Sequence, residues 1–275
     1  MLRQDFTLHT HSIGFDGRNT VAEMVARATE LGFKTIGISN HFILHPDIKK
    51  TNFYPYAVSN GYPEIYSSNF DELMARFIPH YQELSRVAVD AKINVLRGAE
   101  VDFFNTSDWR REFDRATKIL RPDYLIGSCH FVPMNGVLYN VHDIARADPD
   151  TKDKMLTLYW KNIQAAASSG LFSWMAHLDL PKKVGLGTSE KWASLEQETI
   201  ECLAKHNVAI EINTSFEPES YPSPRILNFA AKNNVPVLFS DDAHRTEQIG
   251  RRFDVASRLC IDCGIKNFFA LGRIK

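Results

Sequence analysis

The chain has 275 residues, 44% of them hydrophobic, and a formal net charge of −1. That length is ordinary for a single α/β barrel and allows a sizeable core. The near-neutral balance, with no block of like charges, argues against a nucleic-acid footprint or an acidic tail.

Apolar runs predict strands at about 5–10, 34–39, 93–99, 123–128, 171–176, 208–213 and 235–240. Helical periodicity fills the segments near 20–31, 70–91, 110–120, 152–169, 190–206, 223–233 and 251–263. The first helix has Asn19 or Thr20 as its cap, Glu23 one turn on, and Gly32 just past its end. The serine and proline at 223–224 start another. A repeated strand–helix rhythm means parallel strands with crossover helices, so the sheet is either open and doubly wound or a closed barrel. One segment breaks the rhythm. Residues 42–69 are rich in Tyr, Pro, Asn and Ser without a clear period, and read as a surface insertion or as a lid over the barrel mouth. No linker or repeat divides the rest, so 1–275 is read as a single domain.

The histidines fall in phase with these strands. His9, His11, His41, His130, His177 and His244 each stand where an apolar run has just ended. Polar groups at nearly every strand end favour the barrel, because an open sheet gathers them at one switch point. His9 and His11, at i and i+2, share one strand face. Asp16 is either a carboxylate reaching back over the same mouth or a helix-flanking residue. Glu100 ends the third strand, where a carboxylate can bridge two cations, while Asp102 reads as a turn residue. Asp242 joins His244 after the last strand. Nine groups result: His9, His11, Asp16, His41, Glu100, His130, His177, Asp242 and His244. They suffice for three divalent ions with mixed nitrogen and oxygen ligands, which suits Zn²⁺, Mn²⁺ or Fe²⁺. Such ions make hydroxide available at neutral pH and neutralise phosphate oxygens, so direct hydrolysis of a phosphoester is expected. Asp242 or His244 is then placed to move a proton to the leaving alkoxide.

Other features read as structural. His45, His80, His142 and His206 fall in loops or on helices, and Trp160, Trp174 and Trp192 read as packing residues. Asn213 and Ser215 close a strand near the mouth. Cys129, Cys202, Cys260 and Cys263 fit free thiols in a reducing compartment. No apolar run reaches the roughly 18 residues of a membrane span, and no signal-peptide layout is seen, so a cytoplasmic protein is expected.

The segments HTHS, ISNH, GAEVD, GSCHF, AHLDL, EINTS and SDDAH resemble the motif series of the polymerase and histidinol phosphatase (PHP) superfamily. The HLDL, EINTS and SDDAH segments are most similar to its histidinol-phosphate phosphatase branch. The resemblance runs from about residue 5 to 255. It implies a distorted, TIM-like (β/α)7 barrel with a trinuclear Mn, Fe or Zn site. His9, His11, Glu100 and Asp242 would hold one ion, Glu100, His130 and His177 a second, and Asp16, His41 and His244 the third. It implies a phosphoric monoester hydrolase that turns L-histidinol phosphate into L-histidinol and phosphate in histidine biosynthesis. Another small phosphoester, such as a sugar phosphate, nucleotide or phosphodiester, is the alternative substrate. Basic residues hold the substrate phosphate in that branch, and the candidates are Arg146, Lys183, Arg225 and Arg245. Two departures stand out. Asn40 replaces the acid common before the histidine of ISNH, and the stretch after GSCHF lacks a Gly-Trp-x-Phe-Asp segment.

Overall fold

The computed structural model describes residues 4–187 and 189–275. Seven parallel strands alternate with seven long helices. They run β1 (Phe6–Thr7), α1 (Val21–Glu30), β2 (Thr35–Ile38), α2 (Phe70–Asp90), β3 (Asn94–Asp102), α3 (Ser107–Leu120) and β4 (Tyr124–Ser128). The second half continues α4 (Pro149–Ser168), β5 (Trp174–Met175), α5 (Ala193–Lys205), β6 (Ala209–Asn213), α6 (Pro224–Lys232), β7 (Val237–Ser240) and α7 (Phe253–Asp262). The strands are paired in chain order from β1 to β7. Past β1, Thr10 forms a parallel bridge to Ala243, so the two ends of the sheet meet above their strands. The result is a nearly closed, distorted barrel, as expected from polar residues at almost every strand end.

Local signals explain the elements. Thr20 and Glu23 form the capping box of α1, and Gly32 follows the helix at φ +80°, which a side chain disfavours. Asn69 caps α2 through Glu72 N, and Thr106 caps α3 through Trp109 N. The Thr106 cap starts α3 three residues earlier than helical periodicity alone locates it. β5 is shorter than its apolar run because only Trp174 and Met175 pair with both neighbours. β3 is longer, because its first half pairs with β2 and its second half with a short strand at His41–Leu44.

The barrel interior is plugged rather than hollow. Tyr124 stacks on Trp174 with centroids 5.3 Å apart, and Phe269 closes on Trp174 from below at 5.4 Å. Phe6, Leu8, Ile126, Ala209 and Leu238 complete this inner cluster. A larger cluster packs the outward faces of the strands against the helices. Functional side chains therefore sit only above the plug, at the carboxyl ends of the strands. Among the described residues, no helix is long and apolar enough to cross a membrane.

The 42–69 segment is more ordered than its composition implies. It takes in all but the first residue of the strand at His41–Leu44, a short helix at Tyr54–Ser59 and a two-residue strand at Tyr66–Ser67 that pairs with that first strand. A hairpin after β4 pairs Phe131–Met134 with Val137–Asn140. Its turn is Asn135-Gly136, both at positive φ, the usual chemistry of a two-residue hairpin loop.

Candidate metal centre

Strand geometry brings the nine predicted side chains together. Glu100 and Asp102 share the inward face of β3 through their i, i+2 spacing. His9 and His11 follow β1, His130 follows β4, His177 follows β5, and Asp242 and His244 follow β7. His41 opens the short strand beside Glu100, and the two are register partners. Asp16 reaches back over the same mouth.

Glu100 is the centre of the cluster. Its oxygens lie 2.8 Å from His41 Nδ1, 2.9 Å from His177 Nε2, 3.4 Å from His9 Nε2 and 3.5 Å from His130 Nε2. His11 Nε2 lies 3.2 Å from Asp242 Oδ1. Asp16 Oδ2 lies 3.1 Å from both His41 Nε2 and His244 Nε2. Four overlapping groups have donor atoms within 4.8 Å of one another: His11, Asp16, His41 and His244; His9, His11 and Glu100; His9, His177 and Asp242; and His41, Glu100 and His130.

The donor set fits divalent cations. His9 Nε2, both nitrogens of His11, Asp16 Oδ1, His41 Nδ1, Glu100 Oε2 and His177 Nδ1 are buried without a hydrogen-bond partner among the described residues. Buried polar atoms are normally satisfied, so seven orphans around one point call for a ligand. Charge agrees. Burial opposes ionisation of Asp16, Glu100 and Asp242, yet the facing imidazoles outweigh it and hold all three carboxyls well below their usual range. Burial likewise opposes charge on His9, but Glu211, Asp242 and Glu100 raise it well above its usual value. Burial, helped by His244 and His41, pushes His11 down to about 4, which leaves its imidazole neutral and ready to donate a lone pair.

A second layer supports this set, and part of it was not legible as such in the sequence. Asp102, read there as a turn residue, accepts from the backbone N–H of His130 at 2.7 Å and holds His130 Nδ1 at 2.9 Å. Glu211 on β6 holds His9 Nδ1 at 3.0 Å. Trp174 is more than packing, since its Nε1 donates to Glu211 at 3.1 Å. The available signal was an acid in the middle of an apolar strand, where burial demands partners. Asn40 accepts from Ser12 N at 2.8 Å and also contacts Ser12 Oγ and His80 Nε2, so it braces the first histidine loop. His80 lies buried on α2, away from the nine groups. Cys129 turns outward against Asn162 of α4. All four cysteines are free.

A cavity of about 210 Å³ opens above the cluster. The 42–69 segment contributes Phe53, Tyr62, Ile65 and Tyr66 to its wall, the hairpin region contributes Phe131, Asn140 and Val141, and Ser215, Phe216 and Tyr221 close another side. His142, read in sequence as bland, also lines it, with its ring stacked on Phe53 at 5.5 Å. Of the four basic candidates, Lys183 alone lines this cavity. Arg146 lies in an adjoining pocket that shares Lys183, His142, Phe53 and Tyr62. Arg225 is a correction. Its guanidinium is 2.7 Å from both oxygens of buried Glu196 and 3.1 Å from Glu190, because the acid buried on α5 needs a counterion there. Arg245 is exposed and does not line this cavity.

Comparison with known proteins adds an independent line. A Deinococcus radiodurans protein named probable histidinol-phosphatase is 29% identical over 177 residues, covering 63% of this chain and 66% of that relative, just under two thirds of its length. The HisK chain of Listeria monocytogenes superposes with a TM-score of 0.71 at 22% identity, covering 91% of this chain and 99% of that one. The histidinol phosphate phosphatase HisK of Lactococcus lactis, solved with zinc, L-histidinol and phosphate, gives 0.63 at 18% identity, covering 98% of both chains. The model of the PHP domain matches residues 5–215, more than half of the sequence, and the chain belongs to that family.

Proposed function

We propose that this chain is a metal-dependent phosphomonoesterase whose first substrate is L-histidinol phosphate, released as L-histidinol and phosphate. The observation that carries the reading is the convergence of nine ligand-competent side chains, with seven buried donor atoms lacking partners among the described residues, at the mouth of a barrel. The names of the relatives and the zinc, L-histidinol and phosphate in the Lactococcus structure support the substrate. Three ions, Mn, Fe or Zn, match the donor count and the mixed nitrogen and oxygen set. Bound divalent cations supply acidified water and screen phosphoryl charge.

The protein's own groups do the rest. Lys183 reaches the cavity as an anchor for a phosphate oxygen, with Arg146 behind it as a longer-range cation. His244 is the most exposed of the histidines in the cluster, at 32%, and pairs with Asp16. It is placed, with Asp242, to pass a proton to a departing alkoxide. The aromatic wall from Phe53, Tyr62 and Tyr66 suits a planar leaving group, and the 42–69 segment acts as a lid that keeps water off the substrate.

One observation favours a second substrate. Every carboxylate lining the cavity, Asp16, Glu100 and Asp242, belongs to the cluster itself. Among the described residues no further acid lines the cavity to meet the ammonium that L-histidinol carries, whereas Lys183 does line it. A small phosphoester with a neutral or anionic leaving group therefore fits as well.

A panel of phosphorylated metabolites assayed with added Mn²⁺ tests both readings. Phosphate release from L-histidinol phosphate is expected to exceed that from the others. Strong turnover of another compound, with none of histidinol phosphate, would transfer the assignment to the second reading. His9→Ala and Asp242→Ala are expected to lower turnover at least a hundredfold with unchanged circular dichroism. Near-normal turnover in either variant would remove that residue from the proposed machinery.

A further inference from the structure

Glu211 is a fully buried carboxylate on β6, just beneath the cluster. It accepts from four different donors. These are His9 Nδ1 at 3.0 Å, Trp174 Nε1 at 3.1 Å, the backbone N–H of His177 at 3.1 Å and Asn213 Nδ2 at 2.7 Å. Asn213 also donates to Asp242 Oδ2 at 3.2 Å.

Two of the groups tied to this carboxylate have unusual backbones. His177 has φ +23° and Asp242 has φ +46°, in the region that non-glycine residues avoid. Such conformations persist only where the surroundings over-determine them. Glu211 receives the N–H of His177 directly and reaches Asp242 through Asn213. It also takes the Nδ1 proton of His9, which leaves His9 Nε2 facing Glu100 at 3.4 Å and Asp242 at 3.6 Å. One carboxylate thus sets a tautomer and braces two strained residues, all three in the proposed ligand set.

We infer that Glu211 is the positioning residue of the metal centre, holding His9, His177 and Asp242 in ligating geometry without touching an ion itself. This rests on the metal-centre reading proposed above. A carboxylate behind a ligating histidine fixes ring orientation, and loss of such a partner weakens metal binding by about ten- to a hundredfold. Glutamine cannot substitute. Its single acceptor oxygen faces four donors, and its amide adds a donor where only acceptors fit.

The test is calorimetric titration of metal-free protein with Mn²⁺. Glu211→Gln is expected to raise the dissociation constant about ten- to a hundredfold, with an unchanged far-ultraviolet circular dichroism spectrum. Glu196→Gln, an equally buried acid paired with Arg225 and remote from the cluster, is expected to leave Mn²⁺ affinity within about twofold of the parent chain. Tight Mn²⁺ binding by folded Glu211→Gln would overturn the inference while leaving the metal centre intact. Absence of saturable Mn²⁺ binding by the parent chain would overturn the metal reading and this inference together. If Glu211→Gln fails to fold, ¹⁵N spectra of the Zn²⁺-loaded parent chain decide. His9 protonated on Nδ1 supports the inference, and His9 protonated on Nε2 overturns it.

Discussion

The histidines divide by what faces them. Those at strand ends meet carboxylates, whereas His80 meets Phe15, Phe77 and the side-chain amide of Asn40. Burial alone pushes His80 down to about 4 from an ordinary value of 6.5. Its Nε2 accepts from Asn40 Nδ2 at 3.0 Å, which requires the neutral ring. The folded state therefore resists a proton that the unfolded chain takes up. Stability is complete above about pH 6.5 and is lost as the pH falls towards 4. The loss traceable to this ring is on the order of 3 kcal/mol. Urea unfolding at pH 7 and pH 4.5 checks it, because His80→Gln keeps an acceptor for Asn40 and removes the titration. Equal losses in parent and variant between the two pH values would refute the assignment. The sequence made the metal-facing histidines legible through their phase with the strands. It could not reveal that a helical histidine braces Asn40, since that contact joins residues 40 positions apart.

At the scale of elements, close approach rather than propensity shapes the barrel. Gly37 on β2 and Gly98 on β3 both face the ring of Tyr124 on β4. A Cβ at Gly37 would lie 2.1 Å from the Tyr124 hydroxyl, and one at Gly98 would lie 2.2 Å from its ring. Tyr124 cannot yield easily, because its hydroxyl donates to Leu8 O and its ring stacks on Trp174. Gly37→Ala is therefore expected to cost about 1–3 kcal/mol by overpacking, read as a melting point lowered by several degrees. An unchanged melting point would mean that the plug is looser than its contacts imply. The strand–helix rhythm and the capping box of α1 were readable because both depend on neighbours in sequence. The order within 42–69 was not, because its short strands exist only by pairing with each other and with β3. The Asn135-Gly136 hairpin carried a local turn signal that periodicity alone passes over.

For the whole molecule, the acids of the cluster are neutralised by protonated imidazoles when no cation is present. Metal binding must displace those protons, so it is coupled to pH and to folding. Adding Mn²⁺ to metal-free protein at pH 7.5 is expected to raise the melting temperature, by about 3 kcal/mol of added stability at a hundredfold excess over the dissociation constant. The increment is expected to shrink towards pH 5.5, because protons compete for His9, His41 and His130, all raised above their usual values by facing carboxylates despite burial. Differential scanning calorimetry with and without chelator measures both effects, and a pH-independent increment would show that binding releases no protons.

The sequence by itself determined the fold class, the order of the elements and the nine polar groups at strand ends, because strand and helix periods are local and the ligands fall in phase with them. Only the tertiary structure decided which groups stand behind those nine and which basic residue reaches the cavity. Glu211 acquires its role from donors on β5, β6 and the segment after β1, and Arg225 loses its expected role to Glu196 on α5. Those are contacts between distant parts of the chain, and a residue's sequence neighbours carry no record of them.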